Sequence, residues 1–290
     1  MHRRDFLKTT CAGIGAYALG ARFAAAESAS PSSTAKFASD LITLGKSGIK
    51  ASRLAMGTGT HGSDGSSNQT RLGFDGVVNL FKNAFDQGIN FWDSADQYGS
   101  HPYLKEALKT IPRDKVVILT KTHADTADEM KADLDRFRQE LGTDYIDILL
   151  LHCMTEANWP QIKAGAMDVI SDAAQKGIVR MHGTSCHTFD ALTTAAATDW
   201  VQVDLARINP AGVIMDGPPE KVVPVLRDMK KKGKAVIGMK IFAEGRLRNR
   251  MDESLKFVLG LDCVDCFTIG SESKDNLNDL VKRIPAASKA

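Results

Sequence analysis

The 290-residue chain lacks an internal repeat and, beyond its N-terminal segment, any long apolar run. It therefore offers no stable membrane span, which would need about 18–20 consecutive apolar residues. Gly57-Thr58-Gly59-Thr60-His61-Gly62 after the first candidate strand has Gly-x-Gly-x-x-Gly spacing. A lone motif of this kind is weak, and the count of eight strands alternating with eight helices fits a closed barrel better than an open doubly wound sheet. Cysteine is scarce, with five in all. Cys263 and Cys266 have C-x-x-C spacing, but no second pair or histidine spacing accompanies them, so no metal site is expected. In an extended segment, residues three apart face opposite sides, which hinders a disulfide between them. Cys153 and Cys186 follow neighbouring strand ends, and a disulfide between those two stays open.

Charge of one sign is also missing. Lys and Arg number 37 against 35 Asp and Glu. Much of that small excess lies at the N-terminus, in Met1-His2-Arg3-Arg4-Asp5-Phe6-Leu7-Lys8. An Ala/Gly-rich stretch follows from Thr9 to Gly20, then Arg22 and Ala24-Ala25-Ala26. Basic, apolar and small-residue regions in that order describe an export signal. Arg-Arg-x-Phe-Leu-Lys resembles the twin-arginine type, which implies the twin-arginine export machinery as a partner and a periplasmic location. A plain basic tail or a membrane anchor are the competing readings. With residues 1–26 removed, the remainder carries 33 basic against 34 acidic residues, a net charge of −1. A nucleic-acid surface needs clustered positive charge and is not expected. Residues 27–40 are rich in Ser and Ala and read as a flexible linker.

Residues 41–290 read as one domain. Apolar runs at 53–57, 91–94, 116–120, 146–151, 179–184, 201–205, 235–239 and 267–270 predict eight strands. Helical segments are predicted over 75–87, 103–110, 126–141, 161–176, 189–197, 219–232, 252–260 and 274–284, several with a glycine stop. Strict alternation implies parallel β/α units, and eight of them predict a closed (β/α)8 TIM barrel. Residues 41–51, with Gly45-Lys46-Ser47-Gly48 at their centre, predict a hairpin closing the bottom of the barrel.

The chemistry gathers at strand ends. Phe91-Trp92-Asp93-Ser94-Ala95-Asp96-Gln97-Tyr98-Gly99 puts a carboxylate at the end of a strand and a phenol five residues on. The next strand ends at Thr120-Lys121, and the one after runs Asp147-Ile148-Leu149-Leu150-Leu151-His152. Alone, Lys121 reads as a strand-end lysine reaching water and His152 as a core histidine. As a set, Asp93, Tyr98, Lys121 and His152 end three consecutive strands, and parallel barrels keep their chemistry at that mouth.

These segments resemble the signatures of the aldo-keto reductase superfamily, over about residues 41–284. The resemblance implies a catalytic tetrad of Asp93, Tyr98, Lys121 and His152. It implies reduction of an aldehyde or ketone to an alcohol, with hydride from NADP(H) or NAD(H) and a proton from Tyr98. A cationic Lys121 beside the phenol would lower its pKa. Asp93 would keep the lysine charged, and His152 would orient the carbonyl oxygen.

Cofactor contacts follow from the same resemblance: Gly57 and Thr58 in the first loop, Ser185 after the fifth strand, Gln202 on the sixth and Lys240 after the seventh. Gly270, Ser271, Ser273 and Asn276 lie where the adenosine phosphate binds in relatives. Cys186 stands where the family usually has asparagine. Trp92, Trp159 and Phe242 are candidates for the substrate-pocket wall. The substrate class is a small carbonyl compound. The competing reading is an exported barrel that binds a ligand or partner without sustained redox turnover.

Overall fold

The computed structural model describes residues 35–289. The export-signal reading of residues 1–26 falls outside them. Eight parallel strands close into a barrel in the order β10-β3-β4-β5-β6-β7-β8-β9. They are β3 (Leu54–Gly57), β4 (Phe91–Asp93), β5 (Val117–Thr122), β6 (Ile146–Met154), β7 (Val179–Cys186), β8 (Val203–Arg207), β9 (Ala235–Met239) and β10 (Cys266–Gly270). The predicted hairpin is β1 (Leu41–Thr43) and β2 (Lys50–Ser52), paired antiparallel. Its Leu44 and Ile49 join the barrel-interior cluster and seal the floor.

The surrounding helices are α1 (Phe74–Asp86), α2 (His101–Leu108), α3 (Ala127–Leu141), α4 (Trp159–Ile162), α5 (Ala164–Gln175), α6 (Phe189–Ala197), α7 (Pro219–Lys231), α8 (Met251–Gly260) and α9 (Lys274–Lys289). None among the described residues is long and apolar enough to cross a membrane. The expected linker is described only from residue 35, and there it packs against the domain. Ala38 is buried, Asp40 pairs with Arg53, and Lys36 Nζ donates to the Leu259 carbonyl.

Side-chain alternation sorts the barrel into two cores. Ala55, Phe91, Val117, Leu119, Ile148, Leu150, Met181, Val203, Leu205 and Ile237 fill the interior. The residues between them face the helices. Trp92 and Trp159 belong to that outer layer. Trp92 is one residue out of phase with Phe91, so its ring lies against Phe81 of α1 at 4.8 Å. Trp159 opens α4 and donates from its indole to the Ala191 carbonyl. Neither lines the mouth cleft, which corrects the expectation that they form the substrate-pocket wall.

Candidate active site

The same period carries chemistry to the mouth. Asp93 is in phase with Phe91, Lys121 with Val117 and Leu119, and His152 with Ile148 and Leu150. Each polar side chain therefore takes the next inward position above an apolar one. Lys121 is 1% exposed. Its Nζ donates to Asp93 Oδ1 at 2.5 Å and to the Ser94 carbonyl at 2.6 Å. Asp93 Oδ2 accepts from Thr268 Oγ1 at 2.8 Å. The buried charge thus has its counter-ion, and the counter-ion has its own donor, as burial requires.

Tyr98 stands on a short 3-10 turn, Asp96–Tyr98, ended by Gly99 in the left-handed region at φ 66°. Its ring slides into a slot made by two glycines. A Cβ at Gly59 or Gly62 would overlap the ring. Lys121 Nζ lies 4.9 Å from the ring centroid, and the His152 ring meets it edge-on. The Tyr98 hydroxyl is 3.5 Å from His152 Nε2.

Burial raises the proton affinity of Tyr98 above the usual phenol range, and Asp93 and Asp96 add to that. The expected net lowering is therefore overturned: burial of the phenol is the first cause, and the nearby carboxylates act in the same direction. Burial also lowers the pKa of Lys121, and Asp93 opposes the loss of its charge. Burial pushes His152 down to about 4, with Lys121 adding to the effect and Asp96 opposing it. The imidazole is neutral near pH 7. For Asp96, burial disfavours the carboxylate, but the hydrogen bonds with His123 and the nearby His152 imidazole outweigh it and hold the group below the usual range.

A cleft of about 260 Å³ opens over this cluster. Asp93, Tyr98 and Lys121 line one end, Leu205 and Met239 part of its wall, and Arg248, Met251 and Glu272 also border it. Gly57, Lys240, Phe242 and Gly270 line it as well. Lys240 is ion-paired with Glu244.

The other expected cofactor residues lie elsewhere. Thr58 is buried, its hydroxyl bonded to the Asp93 carbonyl and to Ser100. Ser185 Oγ accepts from the Cys153 backbone N–H at 3.0 Å. Ser271 is buried, with a hydroxyl that has no partner among the described residues. Ser273 Oγ accepts from the Asn276 N–H in the first turn of α9. Gln202 precedes β8, faces outward and borders a separate cavity with Lys46 of the hairpin. It lies at the floor, opposite the mouth, which removes it from the cofactor contacts.

Cys153 and Cys186 are free thiols. Cys186 faces outward toward Asp204, while Cys153 sits at a bulge with φ 63° beside His187. Thr268, Arg248 and the Gly59–Gly62 slot were not anticipated. Thr268 was legible, standing two residues beyond Cys266 on the inward face; Arg248 carries no local signal.

Residues 53–265 match the description "Aldo/keto reductase family". The chain is 27% identical over 165 residues to the L-galactose dehydrogenase of Arabidopsis thaliana, covering 53% of this chain and 50% of that protein. It is 25% identical over 199 residues to the D-threo-aldose 1-dehydrogenase of a Pseudomonas species, covering 57% and 59%. It thus spans about half the length of the curated relatives it matches. The holo form of the aldo-keto reductase AKR11C1 from Bacillus halodurans has the same fold. Its TM-score is 0.68 at 19% identity, over 87% of this chain and 91% of that one. A barrel with this mouth and a family match across most of its length lead to one conclusion: the chain belongs to the aldo/keto reductase family.

Proposed function

We propose that the protein reduces an aldehyde or ketone to an alcohol using a nicotinamide cofactor. The observation that carries this reading is the convergence of Asp93, Tyr98 and Lys121 on a single cleft, with His152 against the Tyr98 hydroxyl. The bound nicotinamide supplies hydride to the carbonyl carbon. Tyr98 gives its proton to the oxygen. Because its environment raises the phenol's proton affinity, Tyr98 holds that proton at neutral pH. The phenolate left behind faces Lys121, whose ammonium lies over the ring. Neutral His152, with Nε2 beside the Tyr98 hydroxyl, orients the carbonyl oxygen. Asp93 holds the lysine in place and charged.

The residues present fit an elongated anionic ligand. The cleft bears apolar surface at Leu205, Met239 and Phe242. Arg248 borders it, and Ser271, between the lining residues Gly270 and Glu272, has a buried hydroxyl without a partner among the described residues. Arg248 supports NADP(H) as the cofactor, with NAD(H) the alternative. Residues 1–26 are proposed as a twin-arginine signal directing the domain to the periplasm. The domain itself is proposed to begin near residue 41, with the packed segment from residue 35 leading into it.

The purified protein should oxidise NADPH or NADH when given a panel of small aldehydes and ketones. Failure of the folded protein to bind either cofactor would favour the ligand-binding alternative.

A further inference from the structure

Three residues form a cluster that the proton chemistry does not use as a set. Asp96 follows β4, His123 follows β5 and His152 lies in β6, three neighbouring strands. His123 Nδ1 lies 3.3 Å from each oxygen of Asp96. His152 Nδ1 lies 3.9 Å from Asp96 Oδ1. The two imidazole rings are 4.5 Å apart at their centroids. One donor atom from each residue lies within 4.8 Å of the other two.

A tetrahedral zinc ion with bonds of about 2.0–2.2 Å spaces its donors roughly 3.3 Å apart. The Asp96–His123 pair already has that spacing, and the remaining pairs close with small side-chain shifts. A second observation points to a ligand. His152 is 5% exposed, and its Nδ1 is buried without a hydrogen-bond partner among the described residues. That nitrogen is the one turned toward Asp96. His123 is exposed, so an ion can enter from solvent.

Two imidazoles and one carboxylate are the donor set of open zinc sites. They are unlike the all-oxygen sets that hold calcium or magnesium. The capping box of α3, Thr126 with Glu129, fixes how the chain leaves the loop that carries His123. The three donors therefore come from segments held by the barrel itself.

We propose that Asp96, His123 and His152 bind one divalent transition-metal ion of the zinc class at the barrel mouth. With Nδ1 on the metal, the His152 ring keeps its proton on Nε2, the nitrogen facing Tyr98. The ring then donates toward the carbonyl oxygen instead of accepting from the phenol. This last consequence rests on the reductase reading; the site does not.

The test uses the full chain, stripped with a chelator and free of nicotinamide. Zn²⁺ binding is followed by calorimetry and Co²⁺ binding by visible absorption. The expected result is one ion per chain, with affinity reduced roughly tenfold or more in His123→Ala and in Asp96→Asn, and unchanged in His187→Ala. His123 is exposed, so its replacement leaves the fold intact. Absence of saturable binding would overturn the proposal. So would full affinity in His123→Ala, or a thiolate-to-cobalt band, which would move the ion to Cys153.

Discussion

At the scale of single residues, the site depends on which way each side chain turns. Asp93 and Lys121 reach one cleft, and His152 the Tyr98 hydroxyl beside it, because each continues an inward-facing row. Trp92 is next to Asp93 and yet contributes nothing to the pocket, since a one-residue step along a strand reverses the face. The same step takes Gln202 to the outside. Both outcomes were legible from alternation, whereas Thr58 was not: its capture by the Asp93 carbonyl and Ser100 depends on a loop conformation. Nor could spacing reveal that Lys121 is engaged by Asp93 and Ser94. Burial of the phenol, equally hidden from spacing, raises its proton affinity against the expected lowering. The glycine slot around the phenol gives a specific expectation. Gly59→Ala forces the Tyr98 ring to move and should lower the turnover number by roughly 10²-fold, because a small misplacement has that scale of effect. Thermal unfolding should change little. Equal turnover in Gly59→Ala would remove the slot from the account.

At the scale of elements, the barrel strands were readable because their apolar runs are short, regular and separated by helix-length segments. Four strands run further than their apolar runs suggest, β8 among them, to Arg207. β5, β6 and β7 end in Lys121-Thr122, His152-Cys153-Met154 and Ser185-Cys186, where polar side chains find partners across neighbouring strands. The bulge between Leu151 and Met154 follows from pairing, not from local composition. Between β7 and β8, Asp204 is fully buried, accepting from Thr184, with one oxygen unpartnered among the described residues. Burial raises its pKa to about 7, with Asp216 adding to the effect and Thr184 opposing it. A raised carboxylate pKa makes the folded state bind the proton more tightly than the unfolded state. The folded state is therefore favoured at low pH and loses that advantage as pH rises from about 4 through 7. Asp204→Asn keeps an acceptor for Thr184 and removes the ionisation. Its unfolding free energy at pH 8 should exceed that of the wild type by about 2–4 kcal/mol, the difference shrinking toward pH 4. Denaturant titrations at the two pH values check this; a variant less stable at pH 8 would contradict it.

At the scale of the whole molecule, an eight-unit barrel with a hairpin floor was legible from the alternation of strands and helices. The floor was legible because Leu44 and Ile49 flank the glycine-rich turn. The cleft was not, since Arg248, Met251 and Glu272 come together only when β9, β10 and their loops are in place. The proposed export is tested on the full chain. Expressed in a bacterium with twin-arginine machinery, the protein should be recovered from the periplasm. The double variant Arg3→Lys, Arg4→Lys should stay in the cytoplasm, and equal fractionation of the two would contradict the signal reading. The account's central claim is that Tyr98 supplies the proton for a nicotinamide-dependent carbonyl reduction. The most direct measurement is a titration of wild type and Tyr98→Phe with NADPH and with NADH by fluorescence, followed by addition of an aldehyde to each complex. Both proteins should bind cofactor with similar affinity. The wild type should oxidise it, while Tyr98→Phe should be slower by roughly 10²–10⁴-fold. Oxidation by Tyr98→Phe at the wild-type rate would contradict the account.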